Sequence, residues 1–432
     1  MSHRPSATPA RKTSISRRTF MGLGAGTAVS SWATASGMPA GCPSPVKVRT
    51  GYDALEADGY QALKGRKLGL IANPTSVDRH LRHIADRLHA APGVNLKAIF
   101  GPEHGFRGSA QAGHSEARSI DPRTGIPVYD MYTLSGPKLD ALLKSAEIDL
   151  LVFDIQDIGA RFYTYIWSMF DALAACARCG IAFMVLDRPN PITGLNASGP
   201  TLDPAFSSFV GRVPLLLRHG MTVGELARLF NSRFVPQQAG RPARLSVIPM
   251  TGWQRDLYQD ETDLVWVPPS PNMPDVTTAI AYPGTCLFEG TTLSVGRGTA
   301  SPFLTLGAPG LDATRWVGEL NNADLPGCLF REDWFTPGFE VAKDQLCHGL
   351  QLAITDRQSF DPLLTGVTML QTVLKISENP IWRKSGSTFD ILAGSNTLRR
   401  QLSQGMSTPD ILASWKPDEA EFTQQRRSFL LY

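Results

Sequence analysis

Four short apolar runs in the first half of the chain each stop at polar groups, and the segments between them carry the period of a helix. The runs are residues 68–72 (Leu-Gly-Leu-Ile-Ala), 96–100 (Leu-Lys-Ala-Ile-Phe), 149–153 (Asp-Leu-Leu-Val-Phe) and 181–186 (Ile-Ala-Phe-Met-Val-Leu). Helical periodicity spans residues 77–89, 136–146 and 163–179, each bounded by Gly, Pro or Asp. Strands that alternate with helices fold as a parallel sheet with helices on both faces. The expected architecture is therefore α/β, with a doubly wound parallel sheet.

In such sheets ligands collect in the crevice beyond the carboxyl ends of the strands. The second run leads into Phe-Gly-Pro-Glu-His-Gly-Phe-Arg at 100–107, which crowds Glu103, His104 and Arg107 onto a glycine-flanked loop. The third leads to Asp154, Asp157 and Arg161, and the fourth to Asp187, Arg188 and Asn190. Glu103 sits near apolar Phe100 and Phe106, where a desolvated carboxyl can serve as a general acid or base; a surface pair with Arg107 is the plainer reading. Asp154, Asp157 and Arg161 suit a metal, sugar hydroxyls or a helix cap. Asp187 with Arg188 suits an ion pair as well as a ligand, and His219 before a helix is equally open.

Thr222 and Glu225 make a capping box for a helix to about Phe234, and residues 245–250 read as a further strand of the same sheet. Residues 266–274 hold four prolines, which only a rigid connector accommodates. Beyond it, the glycines and hydroxyls of residues 282–299 predict tight turns, with Glu289 and Arg297 where glycine opens access. A helix over residues 362–376 and short apolar runs such as 350–354 predict a smaller α+β domain. The expected division is residues 50–265 and 275–432.

Glu103 and Glu289 together supply the carboxyl pair that glycoside hydrolysis commonly needs, one protonating the leaving oxygen and the other activating water or attacking the anomeric carbon. Arg297 suits a bidentate clamp on an anion. Its flanking Gly296 and Gly298 lack the third glycine and the strand–turn–helix setting of a nucleotide fingerprint.

A net charge of +3 and the absence of a Lys/Arg block interleaved with aromatics argue against nucleic acid as a partner. Residues 1–40 resemble a twin-arginine export signal: Ser-Arg-Arg-Thr-Phe at 16–20, a mild Gly/Ala-rich apolar stretch, then Ala-Thr-Ala at 33–35. No other segment approaches the roughly 18 apolar residues that span a bilayer, so an exported, periplasmic or extracellular protein with no transmembrane segment in its mature form is expected. Cys42 after Pro-Ala-Gly only faintly matches a lipid-attachment site. Cys176 and Cys179, at the end of an apolar helix face, read as packing residues and not as a redox or metal pair.

At these residues the chain resembles the NamZ/YbbC-type family of exo-β-N-acetylmuramidases. The matching blocks are Gly-Leu-Ile-Ala-Asn-Pro-Thr-Ser from Gly69, then residues 100–108, 154–165, 187–191, 219–222, 267–274 and 282–299. The resemblance implies a Rossmann-like N-terminal domain, a C-terminal domain and a cleft between them. It also implies a glycoside hydrolase that releases N-acetylmuramic acid from the non-reducing ends of peptidoglycan fragments, with no nucleotide or metal. Motif by motif, Glu103 and Glu289 fall on the family's two glutamates. His104, Arg107, Asp154, Asp157, Arg161, Tyr163, Asp187, Arg188, Asn190, His219, Asn272 and Arg297 are the expected substrate contacts. Muramic acid carries a 3-O-lactyl carboxylate, which a planar guanidinium matches better than an ammonium, so Arg107, Arg161, Arg188 and Arg297 are the candidates to read it.

Two rival readings stand beside this one. Asp154, Asp157, Asp187 and His104 suit a metal-dependent hydrolase, and the crevice alone suits an exported sugar-binding protein. The second usually has two similar α/β lobes, and here the C-terminal half does not repeat the first.

Overall fold

The computed structural model describes residues 45–377 and 379–432, so the expected signal segment and Cys42 lie outside the described residues. Seven strands form the main sheet: β1 (Lys67–Ala72), β2 (Asn95–Gly101), β3 (Ser119–Ile120), β4 (Pro127–Asp130), β5 (Leu150–Asp154), β6 (Ala182–Leu186) and β9 (Arg244–Ile248). Their order is β3-β4-β2-β1-β5-β6-β9, parallel throughout except for the edge strand β3. All four strands expected from the apolar runs are present, and the strand expected near residue 245 joins the same sheet beside β6.

The central strands β1, β5 and β6 are apolar on both faces because both faces are covered. In β5, Leu151 and Phe153 pack into one core while Leu150 and Val152 pack into another, and β6 repeats the division with Phe183 and Val185 against Met184 and Leu186. The smaller core closes under α1 (Gly51–Ala57) and α2 (Ile84–Ala90). The larger holds α3 (Gly136–Ser145), α4 (Tyr165–Cys179), α5 (Val223–Arg233) and α6 (Val235–Ala239), and continues into the C-terminal region. Thr222 and Glu225 cap α5 reciprocally, as their spacing predicts.

The helix expected over residues 77–89 is half that length. Asp78 Oδ1 accepts the backbone N–H groups of both His80 and Arg82, Leu81 takes a left-handed φ of 59°, and Val77 bridges His83. This side-chain turn competes with the helix until His83 caps α2.

The C-terminal region contains α7 (Val276–Thr285), α8 (Ala313–Asn322), α9 (Pro362–Ile376) and an antiparallel sheet of β10 (Thr305–Ala308), β12 (Cys347–Ile354) and β11 (Cys328–Phe335). A two-stranded ribbon, β7 (Ser198–Thr201) with β8 (Leu216–Arg218), precedes it in the chain. The turns expected over residues 282–299 begin only at Cys286, and residues 282–285 are a correction: Asp275 caps α7, which runs through Pro283 to Thr285 and passes into a 3-10 turn over Cys286–Gly290. Gly284 serves helix packing and not ligand approach, since a Cβ there would overlap the carbonyl of Pro362 and the backbone of Gly366 on α9. Among the described residues no helix is long and apolar enough to cross a membrane.

Candidate active site

Glu103 is presented by a turn that the sequence Pro-Glu-His-Gly builds just past β2. His104 and Gly105 are consecutive left-handed residues, φ 68° and 83°, and Gly105 N–H closes the turn on the Pro102 carbonyl. A left-handed non-glycine residue is disfavoured, so something must hold it. His104 N–H donates to the His114 carbonyl at 2.9 Å, and its Nδ1 donates to the Ala110 carbonyl at 3.0 Å. The returning loop then fixes the acid: Gly113 N–H donates to Glu103 Oε1 at 2.8 Å. Thr164, beside α4, donates to Oε2 at 2.6 Å. Burial pulls the His104 imidazole below its ordinary value although the Glu103 charge opposes this, so the ring is neutral at pH 7.

Glu289 arrives from the other part of the chain, on the 3-10 turn that follows α7. Its Oε1 accepts Nε and Nη2 of Arg297 at 2.9 and 2.5 Å, and the Cys286 thiol lies 3.3 Å from Oε2. Arg297 is braced in turn by Glu340, at 3.3 Å from its Nε. Burial alone would lower the Arg297 value, but the charges of Glu289 and Glu340 outweigh it and raise it, so the guanidinium stays charged.

Glu103 and Glu289 line one cavity of about 110 Å³, together with His104, Tyr163, Thr164 and Arg297. Phe162, Tyr282 and Phe303 supply apolar wall. The Tyr163 hydroxyl is buried without a partner, as is the Asn272 side-chain nitrogen next to Met273 of the lining. Of these two residues only Tyr163 lines the cavity.

The remaining expected contacts are used within the fold. Arg107 pairs with Asp121 at 2.9 Å and Asp86 at 3.2 Å, and not with Glu103. Arg161, fully buried, donates to the carbonyls of Pro200, Leu215 and Leu392 and ties the cavity wall to a C-terminal helix. Asp154 and Arg188 form a buried ion pair, with Arg188 facing a separate, smaller cavity of about 30 Å³. His219 donates Nε2–H to Asp157 at 3.1 Å while its Nδ1 accepts from Met221 N–H. Asp187 accepts from Thr222, Gly224 and Tyr432, and Asn190 braces the Met221 carbonyl. The four groups of the metal reading therefore have separate partners, and among the described residues no three His, Cys, Asp or Glu side chains gather as metal ligands. Cys176 and Cys179 are free thiols packed at the end of α4.

Sequence reasoning passed over Thr164, Cys286 and Glu340. Thr164 lies inside a block already singled out, one residue beyond the substrate candidate Tyr163. Glu340 stands in an unremarkable loop, and only the tertiary contact of that loop with Arg297 reveals it.

A doubly wound sheet and two carboxyl groups in one cavity define an α/β protein of the glycoside hydrolase class. Comparison with known proteins narrows this. The family model for the N-terminal part of the exo-beta-N-acetylmuramidase NamZ matches residues 68–277, and that for its C-terminal part matches residues 280–432. The peptidoglycan beta-N-acetylmuramidase NamZ of Bacillus subtilis (strain 168) is 44% identical over 386 residues, covering 89% of this chain and 92% of the relative. Two crystal structures of DUF1343 family proteins from Bacteroides fragilis NCTC 9343 superpose with TM-scores of 0.81 and 0.73, at 34% and 32% identity. They cover 90% and 89% of this chain, and 99% of each of those chains is matched. The chain belongs to the NamZ family of exo-β-N-acetylmuramidases.

Proposed function

We propose that this protein hydrolyses the terminal β-linked N-acetylmuramic acid from the non-reducing end of peptidoglycan fragments during cell-wall turnover, with Glu103 and Glu289 as its carboxyl pair. The observation that carries the reading is that these two acids, far apart in sequence, share one cavity. The substrate class follows from the B. subtilis relative, a peptidoglycan β-N-acetylmuramidase.

The two acids have different surroundings. Glu103 accepts only neutral donors, from Thr164 and Gly113, which suits a group that gains and loses a proton against the glycosidic oxygen. Glu289 carries a guanidinium on one oxygen, which fixes its orientation and suits the acid that faces a developing oxocarbenium ion. Tyr163, in the cavity lining, is a wall against which the sugar can rest. Residues 50–265 and 275–432 act in this reading as two domains that each bring one acid.

The test is incubation of purified protein with peptidoglycan-derived disaccharides and a chromogenic N-acetylmuramide. Release of free N-acetylmuramic acid one unit at a time is expected; internal cleavage, or silence on both substrates, contradicts the reading. We also propose that the twin-arginine-type segment exports the protein. Replacing Arg17 and Arg18 by Lys should then retain it in the cytoplasm, and unchanged export of the variant would refute this.

A further inference from the structure

Three of the four arginines that suit a lactyl carboxylate are bonded elsewhere in the fold, and one lines the cavity. Among the described residues Arg297 is the only charged cationic side chain in that lining, facing two carboxyl groups. An anionic sugar entering between Glu103 and Glu289 approaches two acidic groups, and a cation that receives its carboxylate lowers the cost of entry. Arg297 is shaped for that task. Its Nε and one Nη2 hydrogen bond hold Glu289, yet no hydrogen bond among the described residues uses Nη1, which is not sealed from solvent. Left-handed Gly296 and Gly298 set the approach of the side chain, the Phe303 ring lies 5.1 Å from the guanidinium carbon, and Glu340 steadies Nε. The group is thus pre-oriented with one edge free.

We infer that Arg297 reads the 3-O-lactyl carboxylate of the substrate through its free Nη1 edge while holding Glu289 through the other, so that it selects muramic acid over glucosamine. Glu340, at 3.3 Å from Nε, leaves the Nη1 edge open but offsets part of the charge that Arg297 presents to an anionic substrate. The inference rests on the proposed muramidase reading and adds its specificity determinant.

A pair of chromogenic muramides tests it, one with the lactyl group as free acid and one as its methyl ester, which keeps the shape and removes the charge. The wild type should prefer the acid by about ten-fold or more in kcat/KM, the scale of one charge-assisted hydrogen bond. Arg297→Gln should bring that preference close to one. A role confined to holding Glu289 would instead lower both substrates equally and leave the preference intact, which would overturn the inference. Should Arg297→Gln fail to fold, Glu340→Gln decides: it keeps the shape and removes the offsetting charge, so it should widen the acid preference, and an unchanged preference counts against the inference. Equal use of acid and ester by the wild type also refutes it while leaving the muramidase reading standing; inactivity on both removes that reading itself.

Discussion

Thr164 Oγ1 donates to Glu103 Oε2 at 2.6 Å, joining the loop beyond β2 to the start of α4. The bond leaves the acid one orientation, with its other oxygen already held by Gly113 N–H. Catalytic groups placed even slightly off geometry lose much of their effect. Thr164→Val should therefore lower kcat on a chromogenic muramide about ten- to a hundred-fold with little change in KM, and Thr164→Ser should restore most of it. Equal activity in Thr164→Val would show that Glu103 needs no such support.

His83 ties acid sensitivity to the same loop system. Its Nδ1 accepts the Ala85 N–H that caps α2, its Nε2 donates to the Asn73 carbonyl, and its ring packs edge-on against Phe106. Burial, with Arg107 adding to it, depresses the imidazole to about 4. Between the ordinary value near 6.5 and about 4 the unfolded chain binds the proton more readily, so stability is complete above 6.5 and is lost as pH falls through that window. Denaturant midpoints of wild type and His83→Asn compared from pH 7 to pH 4 should converge as pH drops. A constant gap across the range contradicts the account.

Gly284 and Gly366 let α7 and α9 touch backbone to backbone, and α7 leads directly to Glu289. Gly284→Ala or Gly366→Ala forces the helices apart and should cost about 1–3 kcal/mol in a thermal melt. Stability within error of wild type for both would mean the crossing is looser than it looks.

Arg107 provides the contrast to Arg297. It sits on the motif with Glu103, yet its charge goes to Asp121, whose side chain is fully buried. Arg107→Met should destabilise by about 1–3 kcal/mol, because it leaves a buried carboxylate short of a partner, and should leave the preference for the free-acid muramide unchanged. A lost preference would shift carboxylate recognition from Arg297 to Arg107.

Much of the sheet was legible because its central strands are apolar on both faces and lead to polar residues, so the runs at 149–153 and 181–186 could be little else. The helix Pro362–Ile376 and the capping box at Thr222 were equally plain, since local spacing decides both. Local reasoning failed where a side chain overruled periodicity, as Asp78 does ahead of α2. It also overpopulated the crevice. Strand-end acids and arginines look like ligand contacts in one dimension, but once folded Asp154 pairs with Arg188 and Asp157 Oδ2 with His219. The sequence cannot distinguish a bound partner on the protein from one in solution; Glu340 beside Arg297 is the same difficulty in reverse.

The most direct test of the central claim compares Glu103→Gln and Glu289→Gln with wild type on a chromogenic N-acetylmuramide, each variant checked for an unchanged melting profile. Loss of kcat by at least about a hundred-fold in both is expected of a shared carboxyl pair. Wild-type turnover in either variant would contradict it.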